Sequence, residues 1–119
     1  MNRRVLVAED EPALRAMLID IFEGYGFDVT AFANADEACT FISNQACPLD
    51  LLFTDVRMPG NKTGLDLAFS ARQLMPDLPI VISSGYFDGP MQTLSNVKLL
   101  PKPWNMDAFV DACQLPEMW

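Results

Sequence analysis

Three acidic residues in a row, Glu9-Asp10-Glu11, a solitary Asp55, two serines, Ser83 and Ser84, and a lysine held between prolines, Lys102, are the side chains of this 119-residue sequence whose types could do chemistry together. Each group follows a short apolar run: RVLVA before Glu9, LDLLFT before Asp55, IVI before the serines and VKLL before Pro101-Lys102. Carboxylates brought close together repel, and raise one another's pKa, unless a cation joins them. A hard divalent ion with oxygen ligands relieves that repulsion, magnesium most naturally. Asp55 would then be a carboxylate nucleophile for a phosphorus centre. The metal and Lys102 would neutralise phosphoryl oxygens, and a serine hydroxyl would donate to one of them.

For that chemistry, four segments far apart in sequence must meet at one edge. The apolar runs supply the means. Arg4 to Ala8, Phe27 to Phe32, Leu49 to Thr54, Ile80 to Ser83 and Val97 to Leu100 read as short strands, several with the near-continuous apolar character of buried parallel strands. Helical spacing lies between them. Glu11-Pro12 opens a helix whose stripe is Leu14, Met17, Leu18, Ile21 and Phe22, ended by Gly24 and Gly26. Asn34, with Glu37 three residues on, starts a second that carries Ala38, Phe41 and Ile42 inward and stops before Pro48. Thr63-Gly64 leads into a third through Met75, with Leu65, Ala68, Phe69 and Leu74 apolar. Asn105 to Gln114 is the last, with Met106, Phe109, Val110 and Cys113 on one side. Between Gly85 and Asn96, with Gly89 and Pro90, at most a short helix fits. Strands alternating with helices indicate a parallel sheet covered on both faces. Ligands of such sheets bind at the carboxyl ends of the strands, which is where the acids, serines and lysine fall.

Composition narrows the function classes. The length suits one domain, and half the residues are hydrophobic, enough for a core. A net charge of −8, with only eight scattered basic residues, argues against direct binding of nucleic acid. The apolar runs are too short to span a membrane, and Glu9, Asp10 and Glu11 interrupt the N-terminal run too early for a signal peptide. A cytoplasmic protein is expected. Cys39, Cys47 and Cys113 lack metal-ligand spacing, there is no histidine, and all three read as free thiols.

Taken in order, VLVAEDE, LLFTDVRMPG, IVISSG and LLPKP resemble the receiver domain of two-component response regulators along essentially the whole chain. The resemblance implies a flavodoxin-like (βα)5 three-layer sandwich: five helices around a parallel five-stranded sheet of order 2-1-3-4-5, with residues 1–119 as one receiver (phosphoacceptor) domain. It implies a phosphorelay in which Asp55 accepts a phosphoryl group, with Mg2+, from a phosphohistidine on a histidine kinase or histidine phosphotransfer domain. Such a module is not a conventional enzyme; it catalyses its own phosphotransfer and autodephosphorylation. By resemblance, Asp10 is a direct metal ligand and Glu9 reaches the ion through water. Asp55 and the backbone carbonyl of Arg57 add to the set, and Lys102 contacts phosphate. Spacing leaves the switch hydroxyl open between Ser83 and Ser84; the small Gly85 that follows favours Ser84. Phosphorylation adds about −1.5 to −2 charges. It should draw Ser84 and Lys102 inward and alter the surface from Gly85 to Gln114, which would engage a downstream protein.

The chain departs from the family pattern in places. Leu99 stands where a switch aromatic is usual, and only 17 residues separate Ser84 from Lys102. The Tyr86 to Asn96 stretch is therefore expected to be the most mobile, and the atypical surface favours a monomer. The loop MPGNKTG is one residue longer than the commonest form. With SGY and LLPKP, it is similar to receivers attached to hybrid sensor kinases and to small stand-alone receivers. Trp104 takes a place usually filled by Phe. Arg57 and Tyr86 border the path of a hydrolytic water, so loss of the phosphoryl group should be moderately slow. A haloacid-dehalogenase-type phosphatase would want an aspartate where Arg57 stands. A flavodoxin-like cofactor domain would want a hydroxyl- or Gly-rich phosphate loop in place of the acidic AEDEP. The remaining alternative is a receiver-like docking module that takes no phosphate.

Overall fold

Five of the apolar runs become strands and pair side by side in parallel. β1 (Arg3–Ala8), β2 (Phe27–Phe32), β3 (Leu51–Asp55), β4 (Ile80–Ser84) and β5 (Val97–Pro101) form one sheet of order β2-β1-β3-β4-β5. The computed structural model describes residues 3–44, 48–85 and 96–115. Within these, α1 (Pro12–Gly24), α2 (Ala35–Asn44), α3 (Gly64–Leu74) and α4 (Met106–Cys113) connect or follow the strands. The expected mobile stretch, Tyr86 itself and Cys47 lie outside the described residues. Of the five helices expected, four fall among the described residues.

β3 and β4 are buried along their whole length because helices cover both faces of the sheet. Alternation along each strand divides the core in two. Val5, Val7, Leu51, Phe53, Val81 and Leu100 face Leu18 and Phe22 of α1 and Phe109 and Cys113 of α4. Leu6, Ala8, Leu52, Ile80 and Ile82 face α2 and α3, whose inward residues are mostly small: Ala35, Ala38, Cys39, Ala68 and Ala71. On the first face the Phe22 ring lies 5.4 Å from Phe109 and 6.0 Å from Phe53, and Phe109 lies 5.5 Å from Phe53. This aromatic block sits under the carboxyl end of β3.

Local chemistry explains the helix starts. Pro12 occupies the first turn of α1. The Asn34 side chain accepts from the Glu37 amide at 2.8 Å, Asn105 accepts from the Ala108 amide at 2.8 Å, and Thr63 with Asp66 forms a reciprocal capping box at α3. α4 ends on Gln114 in the left-handed conformation, φ 55°. The buried stripes are narrower than periodicity suggests. Met17, Phe69, Leu74 and Met106 are 44–53% exposed, because each helix meets the sheet along only one side.

Candidate functional site

The chain leaves β1 toward β2 on one side and returns to place β3 on the other, so the crevice at this reversal opens between the ends of β1 and β3. Glu9 continues β1 by one residue, its amide donating to the Phe32 carbonyl at 3.0 Å. Glu9 is 1% exposed, and its side chain accepts from the Glu11 amide at 3.0 Å. Asp10 is exposed. Arg15, one turn into α1, donates to the Glu9 carbonyl at 2.9 Å and to the Asp10 carbonyl at 3.4 Å, tying the acidic turn to the helix.

Asp55 closes β3 and is 7% exposed. Its Oδ1 accepts from the Val56 amide at 2.7 Å, and its Oδ2 accepts from Lys102 Nζ at 2.9 Å. The same ammonium lies 3.4 Å from Glu9 Oε1. Lys102 is delivered by the turn after β5, where its amide donates to the Ser84 carbonyl at 2.9 Å. Carboxylate oxygens of Glu9, Asp10 and Asp55 lie within 4.8 Å of one another. The three acids and the lysine named from the sequence therefore meet at one point.

The loop after Asp55 is held at both ends. The Gly64 amide donates to the Val56 carbonyl at 2.8 Å, and a Cβ at Gly64 would collide with the Asp55 carbonyl. Only glycine lets the start of α3 come this close to the phosphoacceptor candidate. Asp36, in the first turn of α2, accepts from the Asn61 amide at 2.9 Å. It also lies against Gly60, whose φ is +111°. Arg57 sits on this loop with an exposed side chain.

The electrostatics favour a bound cation. Burial pushes the Glu9 carboxyl above its ordinary value, against the pull of the Glu11 amide and Lys102. Burial alone would lower Lys102, but the hydrogen bond and charge of Asp55, with Glu9 behind it, raise its pKa overall. A buried acid that is costly to ionise beside two further carboxylates is a donor set for a hard divalent ion, and the oxygens present fit Mg2+.

Both serines are buried, but strand alternation separates them. Ser83 pairs in register with Asp55 and with Leu100, on the α1/α4 face; Ser84 pairs with Pro101 and falls on the α2/α3 side. Leu99 pairs with Ile82 and is 44% exposed. Trp104 stacks at 4.8 Å on Phe109 and, with Leu14, Met17, Lys102 and Pro103, lines an open groove of about 350 Å³ beside the acids. Arg15 and Asp36 are the supports that reading the sequence missed. Their partners are backbone groups brought near by tertiary packing, and neither residue carries a local signal.

Residues 5–114 match the family model of the response regulator receiver domain. The response regulator receiver protein CpdR of Brucella abortus (strain 2308) is 32% identical over 113 residues, covering 92% of each chain. The transcriptional regulatory protein DctD of Rhizobium meliloti (strain 1021) is also 32% identical, over 95% of this chain but only 25% of its own length. Among solved structures, the receiver domain of the hybrid histidine kinase CckA is 32% identical with a TM-score of 0.78, covering 93% of this chain and 95% of that one. The response regulator TrrA of Thermotoga maritima, solved in complex with Mg(2+)-BeF, is 26% identical with a TM-score of 0.77, covering 94% and 96%. Family match, relatives and fold agree with the strand-end motifs: this chain belongs to the response regulator receiver domains, the phosphorylation-based signalling modules of two-component systems.

Proposed function

We propose that Asp55 accepts a phosphoryl group from a phosphohistidine on a histidine kinase or histidine phosphotransfer domain, with Mg2+, and that this switches a protein-interaction surface between Gly85 and Gln114. The observation that carries the reading is the convergence of Lys102 Nζ on Asp55 at 2.9 Å with the Glu9, Asp10 and Asp55 carboxylate oxygens inside 4.8 Å. The solved complex of TrrA with the histidine kinase ThkA supports the class of donor.

Asp10, Asp55 and the Arg57 carbonyl would hold the ion directly, with Glu9 acting through water. Bound there, Mg2+ supplies positive charge to the transferring phosphoryl oxygens. The chain's own residues do the rest. Asp55 Oδ attacks phosphorus, and the phosphorus–nitrogen bond to the donor histidine breaks. Lys102 follows the negative charge from carboxylate to phosphoryl, and the Ser84 hydroxyl donates to a phosphoryl oxygen. The movement of Ser84 and Lys102 is the differential contact that shifts the equilibrium of the downstream surface. With Leu99 in the aromatic position, no ring follows the hydroxyl inward. Arg57 and Tyr86 would slow hydrolysis, so Arg57→Ala with Tyr86→Ala should shorten the acyl-phosphate lifetime. A cytoplasmic, monomeric module is the form proposed. Among the described residues no helix is long and apolar enough to cross a membrane.

Trp104 makes the reading testable. It lies in the groove wall beside Lys102 and against Phe109. A fluorescence titration with Mg2+ and then with beryllofluoride should show two saturable changes, the second absent in Asp55→Asn. Acetyl phosphate should add one phosphoryl mass to the wild type and none to the variant. Failure of both would leave a docking module that takes no phosphate.

A further inference from the structure

Ser83 carries a hydroxyl with no part in the phosphoryl transfer proposed for Asp55, Ser84 and Lys102. It is 0% exposed, and among the described residues its Oγ has no hydrogen-bond partner. Buried hydroxyls are nearly always paired, and an unpaired one costs stability that alanine would avoid. Its surroundings are specific. Ser83 is the register partner of Asp55 on the adjacent strand, so their Cα atoms lie about 4.8 Å apart. Paired residues of parallel strands point to the same face, here the α1/α4 face. Val81 lies one step below on β4 and Leu100 beside it on β5, both apolar and buried. Asp55, on that face, holds Lys102 at 2.9 Å, and Lys102 in turn reaches the buried Glu9 at 3.4 Å.

We infer that Ser83 is a second hydroxyl donor of the site, idle while Asp55 is unmodified and engaged when Asp55 carries a phosphoryl group. In the present state both Asp55 oxygens are taken, Oδ1 by the Val56 amide and Oδ2 by Lys102. A phosphoryl group on Asp55 adds oxygens next to Ser83 and draws the Lys102 ammonium toward them. Acceptor oxygens would then stand on the residue that faces Ser83 across the strand pair. A contact made in one state and missing in the other contributes wholly to the difference between them. Ser83 thus adds to the preference for the phosphorylated state, from the face opposite Ser84. This inference rests on the reading that Asp55 is the phosphoacceptor.

The test compares wild type, Ser83→Ala and Ser83→Cys. Cysteine fills the site with a somewhat larger atom and loses most of the donor strength, whereas alanine removes the atom altogether. Mg2+ and beryllofluoride affinities are measured by tryptophan fluorescence in a Trp119→Phe background, which leaves Trp104 as the reporter, and by the shift in melting temperature, with acetyl-phosphate labelling of the wild type alongside. Both variants should melt at or above the wild-type temperature in Mg2+ alone and bind Mg2+ as the wild type does. Both should bind beryllofluoride about ten-fold more weakly, the worth of one hydrogen bond. Wild-type beryllofluoride affinity in both variants would overturn the inference and leave Ser83 an idle core residue. A wild type that neither binds beryllofluoride nor is labelled would overturn the phosphoacceptor reading itself, and Ser83 with it.

Discussion

Replacing Lys102 by methionine keeps the aliphatic stem and removes the one ammonium shared by two buried acids. Its Nζ lies 2.9 Å from Asp55 and 3.4 Å from Glu9. Each attraction is worth about 5–6 kcal/mol gross at an effective dielectric constant near 20. Much of that is cancelled by the desolvation of all three groups, and the lysine is a quarter exposed. An exposed pair contributes at most about 1 kcal/mol, while breaking a buried pair costs about 3–5 kcal/mol. This site lies between the two, so Lys102→Met should cost about 2 kcal/mol, or roughly 8 °C in melting temperature for a domain of this size. Mg2+ offers the stranded carboxylates another cation, so it should raise the melting temperature of the variant by more degrees than that of the wild type. The pH dependence has a defined sign. The Glu9 pKa is raised in the fold, so its contribution is fully present below about pH 4.5 and is lost as pH rises through the folded value. Lys102 is one of the influences holding that value down; without it the loss at neutral pH is larger. The deficit of Lys102→Met should therefore be greatest near pH 7 and shrink toward pH 4.5. Thermal melts at both pH values, with and without saturating Mg2+, measure this. An equal Mg2+ gain in both proteins, or a deficit independent of pH, would refute the shared-cation account.

Gly64→Ala should destabilise by roughly 2–3 kcal/mol and weaken Mg2+ binding, since its Cβ would drive the start of α3 off the Asp55 carbonyl; urea unfolding and a Mg2+ titration check both effects. Arg72 donates to the carbonyls of Met75 (3.1 Å), Pro76 (3.1 Å), Leu78 (2.7 Å) and Asn96 (3.2 Å), joining the end of α3 to the residue before β5. Arg72→Met should cost about 2 kcal/mol and speed amide exchange in β5 while leaving β1 protected; unchanged exchange in Val97–Leu100 would contradict that. Burial pushes the Cys113 thiol up to about 12 and raises Cys39 as well, against a hydrogen bond from Ser70. At pH 8 iodoacetamide should therefore modify these two thiols only as fast as the protein opens, as peptide mass spectrometry with and without urea would show.

Strands and helix starts were legible because their causes are local. VLVA, LLFT and IVIS are buried on both faces, so near-continuous apolar character marks them without reference to the rest of the chain. Asn34, Thr63 and Asn105 cap helices through bonds that span three residues. The buried stripes were less legible. Spacing cannot say how wide a strip of helix the sheet covers, so Met17 and Met106 read as inward yet stand at the rim. Leu74 and Phe69 on α3 are outward for the same reason: Leu67, Ala68 and Ala71 already fill its contact with the sheet.

At the site, the acids and the lysine were legible because each follows a strand, and a parallel sheet gathers the ends of its strands. Which serine shares a face with Asp55 was not, because that depends on register between strands joined by a helix. A slip of one residue exchanges the faces. The backbone fixes it: Asp55 opposes Ser83, and the Lys102 amide bonds to the Ser84 carbonyl. The Asp55 face and the α2/α3 face of β4 therefore each receive one hydroxyl. Gly85 after Ser84 points to the hydroxyl that must move to reach a phosphoryl group. Pairing with Asp55 points to the one that is already beside it. A sequence with a single hydroxyl here would have to choose between responding to the phosphoryl group and bracing it; Ser83-Ser84 places one side chain at each task.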